Sequence, residues 1–204
     1  MAKIEYVDYK DLAVKAKDIR NHAKVLNEQC TKIYQEIINM HQSWYGIRYN
    51  ELAKDFNELA PSINEMLKLT YGEIPFALET IANNFSQADN GANATSAQQT
   101  QETKMPNIPM PNDVGMRFME VQVKDTKTKV VQGFKNANEK MKEIENTYNK
   151  ISWKSESSEA FRVKFTKLKN QITNEINQLN IQFDKLMNQT IEDVRTTETK
   201  NTVN

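Results

Sequence analysis

The chain has 204 residues, of which 38% are hydrophobic and 26% charged, with only five glycines and five prolines. This composition is typical of long amphipathic helices and argues against a turn-rich β protein. Lysine plus arginine equals aspartate plus glutamate at 27 each, so no basic field favours nucleic acid and we expect no nucleic-acid partner.

The chain shows no signal for export through an N-terminal leader or for a membrane anchor. Residues 1–6 lack the apolar core and cleavage site of a signal peptide. No run approaches the roughly 18 uninterrupted apolar residues that span a bilayer. We therefore expect a soluble protein with no stable membrane insertion. It would be cytoplasmic before export and, if secreted, would leave by a route that uses no N-terminal signal peptide.

The first predicted element is a helix of roughly 35 residues, about 50 Å long at ~1.5 Å per residue. Asp8 is a suitable N-cap, and Asp11 in the first turn favours the positive helix end. The apolar and small residues alternate at steps of four and three, which is the spacing of a heptad seam. These residues are Leu12, Ala16, Ile19, Ala23, Leu26, Cys30, Ile33, Ile37, Met40 and Trp44. Because one such rod buries little surface, the pattern predicts a partner helix.

A second helical pattern follows Gly46 and extends to about Ala88. Its apolar positions are Tyr49, Leu52, Phe56, Ile63, Leu67, Ile74, Leu78, Ile81 and Phe85. Pro61 lacks a backbone donor and predicts a kink or a boundary. Gly72 and Pro75 predict a bend or break near 72–75.

Residues 90–111 predict a flexible linker rich in Pro, Asn and Gln. Small polar residues there are followed by Pro106, Pro109 and Pro111, a composition that is not expected to bury a core. Stretched at ~3.4 Å per residue it would reach about 75 Å, whereas a relaxed flexible chain of that length spans about 25 Å.

The second half, 112–204, repeats the plan of the first half, 1–89. Its first seam consists of Val123, Lys127, Val130, Phe134, Ala137, Met141, Ile144, Tyr148 and Ile151. The start of this element is ambiguous between a helix and a short strand around Met116, Phe118, Met119 and Val121. Ser155 is then a suitable cap for a last helix, with Glu156 and Glu159 in its first turn.

The apolar face of that last helix comprises Phe161, Phe165, Leu168, Ile172, Ile176, Leu179, Phe183, Leu186 and Val194. From about Thr196 the sequence is polar, and we expect the tail to fray. The apolar periodicity therefore predicts an all-α fold class with two tandem antiparallel helix-turn-helix hairpins.

Each hairpin turn contains a tryptophan followed two residues later by a small residue. Trp44-Tyr45-Gly46 lies near the midpoint of the first half, and Trp153-Lys154-Ser155 occupies the equivalent place in the second. A purely structural explanation is that each indole fills the end of the core and that Gly46 supplies a backbone conformation that other residues disfavour.

Two helices of about forty residues around a Trp-x-Gly turn resemble the WXG family, the early-secreted-antigen-like proteins of type VII secretion systems. The first half matches the pattern, whereas Ser155 departs from the family glycine. The following Ser158-Glu159-Ala160-Phe161 is similar to the usual start of the second arm.

The resemblance also implies an export element, an aromatic residue followed four positions later by an acid. Phe85-Ser86-Gln87-Ala88-Asp89 fits, with Phe for the usual Tyr. The same offset in the second half gives Val194-Arg195-Thr196-Thr197-Glu198, which lacks the aromatic residue. By position alone Phe85 is also a candidate core residue.

The resemblance implies that two hairpins pair antiparallel into a four-helix bundle, either within one chain or in a homodimer. Within one chain this would place Trp44 near Val194–Glu198 and Trp153 near Phe85–Asp89. The implied partners are proteins: a secretion ATPase, another WXG-type protein or a toxin cargo. Recognition would use Trp44, Gly46, Phe85, Asp89, Trp153, Ser155, Val194 and Glu198.

Nothing in the sequence predicts catalysis, a cofactor or a metal. His22 and His41 lack companions at ligand spacing, and Cys30 lies on the helical seam, where a buried small residue is expected. No catalytic order or phosphate-binding glycine loop occurs. The alternatives left open are a helical component of a pore-forming toxin and an intracellular coiled-coil chaperone for a secreted toxin.

Overall fold

A computed structural model describes residues 7–99 and 103–201, which form an all-α fold. The helices are α1 (Tyr9–Met40), α2 (Ile47–Leu67), α3 (Ile74–Asn90), α4 (Glu120–Asn149) and α5 (Glu156–Asn201). A π-helical segment, Lys68–Glu73, joins α2 to α3 into one continuous arm. Two strands of two residues, β1 (Trp44–Tyr45) and β2 (Arg117–Phe118), pair antiparallel. The predicted fold class is confirmed.

The first hairpin packs against the second through α1 and α4. Two contacts show that these helices run antiparallel. The Met119 N–H, at the start of α4, donates to the Ser43 carbonyl, just after the end of α1, at 2.8 Å. Toward the other end, His22 Nδ1 lies 2.9 Å from a carboxylate oxygen of Glu143. The interface therefore lies within one chain.

The second pair of facing helices, α2 and α5, is also antiparallel. Arg48 lies 2.5 Å from Asp193 near the beginning of α2, and Glu65 lies 2.8 Å from Lys164 near its end. The two hairpins thus pair antiparallel within the chain, which is the first of the two arrangements that the sequence left open.

The helix starts and the seam of α1 follow the sequence prediction. The Asp8 carboxylate accepts hydrogen bonds from the backbone N–H groups of Lys10 and Asp11, as an N-cap does. Every predicted seam residue of the first helix, from Leu12 to Trp44, is at most 3% exposed. The periodicity of apolar residues was sufficient to predict which face of α1 is buried, because residues at heptad spacing lie on the same face of a helix.

Pro61 does not end or interrupt the first arm, contrary to the expectation of a boundary. It lies exposed inside α2, which continues to Leu67. The bend or break predicted near 72–75 corresponds to the π-helical segment, which interrupts the regular α-helix without ending the arm. The π-helical segment accommodates Gly72, and Pro75 lies in the first turn of α3, where a missing N–H is least costly.

The predicted linker differs most from expectation. Gly91 ends α3 in a left-handed conformation with φ 73° and reverses the chain. The described residues then return along the first arm: the Thr95 N–H donates to Asn83, and 103–111, hereafter the strap, lies along α2. Met105 and Ile108 in the strap are 7% and 0% exposed. The expectation that this segment buries no core is therefore wrong.

The second half begins with a short strand and then a helix, so both readings of its start are partly correct. At the α5 N-terminus, Ser155 and Ser158 exchange hydrogen bonds, each hydroxyl accepting from the other's N–H at 3.1 Å, which confirms the predicted cap. At the C-terminus α5 remains helical to Asn201, where fraying from about Thr196 was expected. Residues 195–200 of this helix are exposed.

Gly133 permits the close approach of α4 to α1. A Cβ there would lie 2.6 Å from Ile33 Cγ1 and 3.0 Å from Ile33 Cδ1. Ile33 is 2% exposed and held in the core. We expect Gly133→Ala to lower the free energy of unfolding by about 1–3 kcal/mol through overpacking, despite a helix-propensity gain of about 1 kcal/mol. Urea denaturation measures the effect.

Ile33→Ala supplies the control, because it removes both atoms that the new Cβ would meet. The double variant should lose less stability than the sum of the two single variants. Simple additivity of the two losses would contradict the contact.

Candidate protein-binding site

The Trp44 turn closes one end of the bundle. Trp44 is 1% exposed, with its ring edge-on to Phe118 at 5.5 Å and stacked on Phe183 at 6.1 Å. The ring therefore joins α5 and β2 to the first hairpin turn. Its predicted position at a hairpin tip is confirmed, and the indole plugs the core.

Gly46 makes the turn possible. Its φ of 120° and ψ of −173° are conformations that residues with a side chain rarely adopt, and it is the N-cap of α2. A Cβ there would also lie 3.5 Å from the Gly115 carbonyl oxygen. The predicted conformational role of this glycine is confirmed.

Polar contacts surround the buried ring. The Arg48–Asp193 ion pair joins the start of α2 to the last turns of α5. The Arg117 guanidinium lies over the Tyr45 ring, 5.2 Å from its centroid, a favourable cation–π arrangement. These contacts fix β2 and α5 around the Trp44 turn.

A cleft of about 360 Å³ opens at this end between the start of α2, the loop before β2 and α5. Its lining includes Ile47, Met116 and Thr190. Further exposed apolar side chains lie in the same loop and at the start of α4. We name Ile47, Val114, Met116, Met119 and Val121 the Trp44-end patch; their exposed fractions range from 43% to 100%. Contiguous exposed apolar surface commonly marks an interaction site.

Val194 and Glu198 lie on α5 just beyond Asp193, at this same end of the bundle. Val194 is partly exposed and Glu198 is exposed. Trp44, Gly46 and the last turns of α5 are therefore brought together, as antiparallel pairing implied. Trp44 contacts α5 at Phe183, about three helical turns before Val194.

The other predicted site residues lie at the opposite end. Asp89 is exposed and accepts a hydrogen bond from the Tyr9 hydroxyl at 2.8 Å, which places the end of α3 beside the start of α1. Phe85 is half-buried. Because α4 is antiparallel to α1, the Trp153 turn lies at this end too, and Trp153 is 6% exposed.

Ser155, which departs from the family glycine, has a structural role as the N-cap of α5. The Tyr148 hydroxyl donates to the Ser158 carbonyl at 2.7 Å and so connects the two helices across the turn. The second turn is thus held by side-chain hydrogen bonds where the first uses a glycine and a strand pair.

Asp89 also changes the acidity of Tyr9. The hydrogen bond to the Asp89 carboxylate raises the pKa of Tyr9 above 10.0. A raised folded-state pKa means that the contribution to stability is present below the ordinary tyrosine pKa and is lost as pH rises through the folded value.

We expect Asp89→Asn to lower the pKa of Tyr9 toward its ordinary value. An NMR titration of the tyrosine ring resonances, with Tyr9→Phe to assign the signal, measures the change. An unchanged titration of Tyr9 would contradict the contact.

The described residues offer little reactive chemistry. Burial raises the pKa of the Cys30 thiol to about 12, so it is a protonated core residue at neutral pH. Within 7–99 and 103–201, no group of three or more His, Cys, Asp and Glu side chains could hold a metal ion. Nor does any helix in these ranges combine the length and hydropathy of a membrane-spanning segment.

The sequence did not identify several residues that build this end of the molecule. Phe118 and Phe183 were recognised only as apolar positions, although they form the walls around Trp44. Arg48 and Asp193 are far apart in the sequence, and a single chain gives no signal of their pairing. No family model, curated protein or solved structure matches the chain.

Proposed function

We propose that the protein is a non-enzymatic helical interaction protein, a substrate or export partner of a bacterial type VII (WXG) secretion system. One observation carries the proposal: two hairpins with tryptophan turns pair antiparallel within a single chain. In this pairing the Trp44 ring stacks on Phe183 of α5, and Thr190 and Asp193 of the same helix line the cleft beside Trp44. The protein would be recognised as a folded bundle, after synthesis in the cytoplasm.

The recognition surface would be the Trp44-end patch and the adjoining end of α5. Because Trp44 itself is 1% exposed, its indole shapes this surface and a partner would touch Ile47 and Met116 instead. Apolar side chains around a cleft suit a protein partner that buries an apolar anchor there. The proposed partner is the membrane-anchored secretion ATPase; another WXG-type protein or a toxin cargo could be carried along.

The test is export from the producing bacterium. Ile47→Ser combined with Met116→Ser should reduce release into the medium by about tenfold or more, because both anchors of the patch are removed. Val163→Ser combined with Ile181→Ser is the matched control, since these residues are 61% and 71% exposed elsewhere on α5. The control variant should be released normally.

Release at equal levels by both double variants would remove the patch as the recognition surface. Release that persists in a strain lacking the secretion ATPase would contradict export by the type VII secretion system. A liposome leakage assay distinguishes this proposal from a pore-forming component, which would permeabilise vesicles.

Asp89→Ala should also abolish release if the Phe85–Asp89 element acts as an export signal. The side chain is exposed, so the substitution leaves the core intact. Asp125→Ala on α4 removes a similarly exposed carboxylate and serves as the control. Normal release of the Asp89 variant would contradict the signal assignment.

A further inference from the structure

Three asparagines of α2 contact the strap at regular intervals. They are seven residues apart, and the strap residues that they contact are three apart. The pairs are Asn64 with Met105, Asn57 with Ile108, and Asn50 with Pro111. We name Asn50, Asn57 and Asn64 the asparagine ladder.

The ladder binds the main chain of the strap. The Ile108 N–H donates to Asn57 Oδ1 at 2.9 Å, and Asn57 Nδ2 donates to the Ile108 carbonyl at 3.0 Å. A single carboxamide therefore satisfies both backbone groups of one residue. The Met105 N–H donates to Asn64 Oδ1 at 2.8 Å, and Asn50 Nδ2 donates to the Pro111 carbonyl at 3.0 Å.

The two spacings match physically. Seven residues of an α-helix advance about 10.5 Å, and three residues of an extended proline-rich chain advance about 9.3 Å. A helix face with an asparagine at each heptad can therefore contact every third residue of an extended peptide. The side chains of Met105 and Ile108 are also buried, so the site accepts apolar groups at two of these positions.

The strap leaves one ladder position incomplete. Asn50 Oδ1 is buried and has no hydrogen-bond partner among the described residues. At the middle step the equivalent atom of Asn57 accepts an N–H, but Pro111 has none to give. A buried acceptor without a partner is unfavourable. A ligand with any other residue at this place could donate the missing hydrogen bond.

We propose that this face of α2 is a binding site for an extended segment of a partner protein. The segment carries apolar residues at its first and fourth positions and a residue other than proline at its seventh. The strap is the self-ligand that occupies the site until the partner displaces it. This site uses none of the Trp44-end patch, so it stands independently of the proposed export function.

The experiment vacates the site in the full chain and adds a peptide. Met105→Ser with Ile108→Ser removes the apolar anchors of the strap and leaves α2 unchanged. The probe is a fluorescent synthetic peptide with the sequence of residues 104–112 and the change Pro111→Ala, and binding is followed by fluorescence anisotropy. We expect saturable binding that is about two- to tenfold tighter than that of the peptide retaining proline, because one hydrogen bond is gained.

Two comparisons make the result specific. Adding Asn57→Leu to the vacated chain should abolish binding, whereas Asn146→Leu, on the exposed face of α4, should leave it unchanged. The chain with its native strap should bind the probe at least about tenfold more weakly than the vacated chain, because the strap competes for the site.

Circular dichroism verifies that each variant is folded, and Ile108→Ala alone provides a milder vacated chain. Absence of saturable binding by both vacated chains would overturn the proposal. So would equal affinity of the peptides with and without the Pro111→Ala change, or binding that is insensitive to Asn57→Leu.

Discussion

Replacing Trp44 with alanine should lower the free energy of unfolding by about 3–5 kcal/mol, which is a large part of the stability of a domain this size. The ring is 1% exposed, and it contacts Phe118 and Phe183 from two other parts of the chain. Its removal would leave a cavity where α5, β2 and the first turn meet. Urea denaturation followed by circular dichroism measures the loss.

Trp44→Phe is the matched control, since it keeps an aromatic ring between the same neighbours and should cost clearly less. A loss below about 1 kcal/mol for the alanine variant would contradict the assignment of Trp44 to the core. The same reasoning affects any export assay. A Trp44 variant that is not released could be failing to fold, so only exposed residues such as Ile47 and Met116 can test recognition separately.

The helices and their inward faces were predictable because their signal is local and repeated. Each seam residue of α1 is supported by its neighbours three and four positions away, so one unusual residue changes little. Cys30 illustrates this: its place in the stripe predicted burial without any knowledge of partners, and it is 3% exposed. Caps such as Asp8 and Ser155 are equally local, since they satisfy N–H groups within three residues.

The path of the strap could not be predicted from composition. Prolines and small polar residues lower the mean hydropathy of 90–111. The low average gives no indication that Met105 and Ile108, three positions apart, are buried. The residues that bind the strap are on another element, α2, where the asparagine ladder has a seven-residue spacing. Only a comparison of the two periods would have connected Ile108 to Asn57, and neither period is informative alone.

The candidate site was predictable in position and not in detail. The antiparallel arrangement that the resemblance to WXG hairpins implied places the Trp44 turn toward the C-terminal end of α5. The exposed side chains there include Ile47 and Val121, which lie in the first turns of α2 and α4 and outside the apolar seams predicted for those helices. The sequence also indicated Trp44 as a contact residue, whereas the packing around Phe183 makes it a buried support for the surface.

A contact that no local pattern reveals accompanies the π-helical segment. Pro75 has no N–H to donate to the Tyr71 carbonyl four residues earlier, and Arg20 Nη1 donates to that carbonyl at 3.0 Å instead. A side chain of α1 thus compensates for the proline of α3. The Tyr71 carbonyl therefore has a hydrogen-bond partner in the part of the arm where the sequence predicted a bend or break.

Arg20 also forms the buried ion pair whose loss should have the second large effect. Its Nη2 lies 2.8 Å from both carboxylate oxygens of Glu79, and the two side chains are 16% and 7% exposed. The Gln98 N–H donates to Glu79, and Arg20 donates to the Gln98 carbonyl, so the pair also holds the returning chain.

Glu79→Ala should lower the free energy of unfolding by about 3–5 kcal/mol, because it leaves a largely buried guanidinium without its carboxylate. Replacing both members, with Arg20→Met and Glu79→Leu, should recover much of this loss, since no uncompensated charge remains. Urea denaturation of Arg20→Met, Glu79→Leu and the double variant measures the coupling between the two side chains. Losses that simply add would show that the pair contributes nothing beyond packing.

The coupling should also exceed that of the exposed Lys54–Glu58 pair, whose side chains are 68% and 65% exposed and whose contribution is expected to be below about 1 kcal/mol.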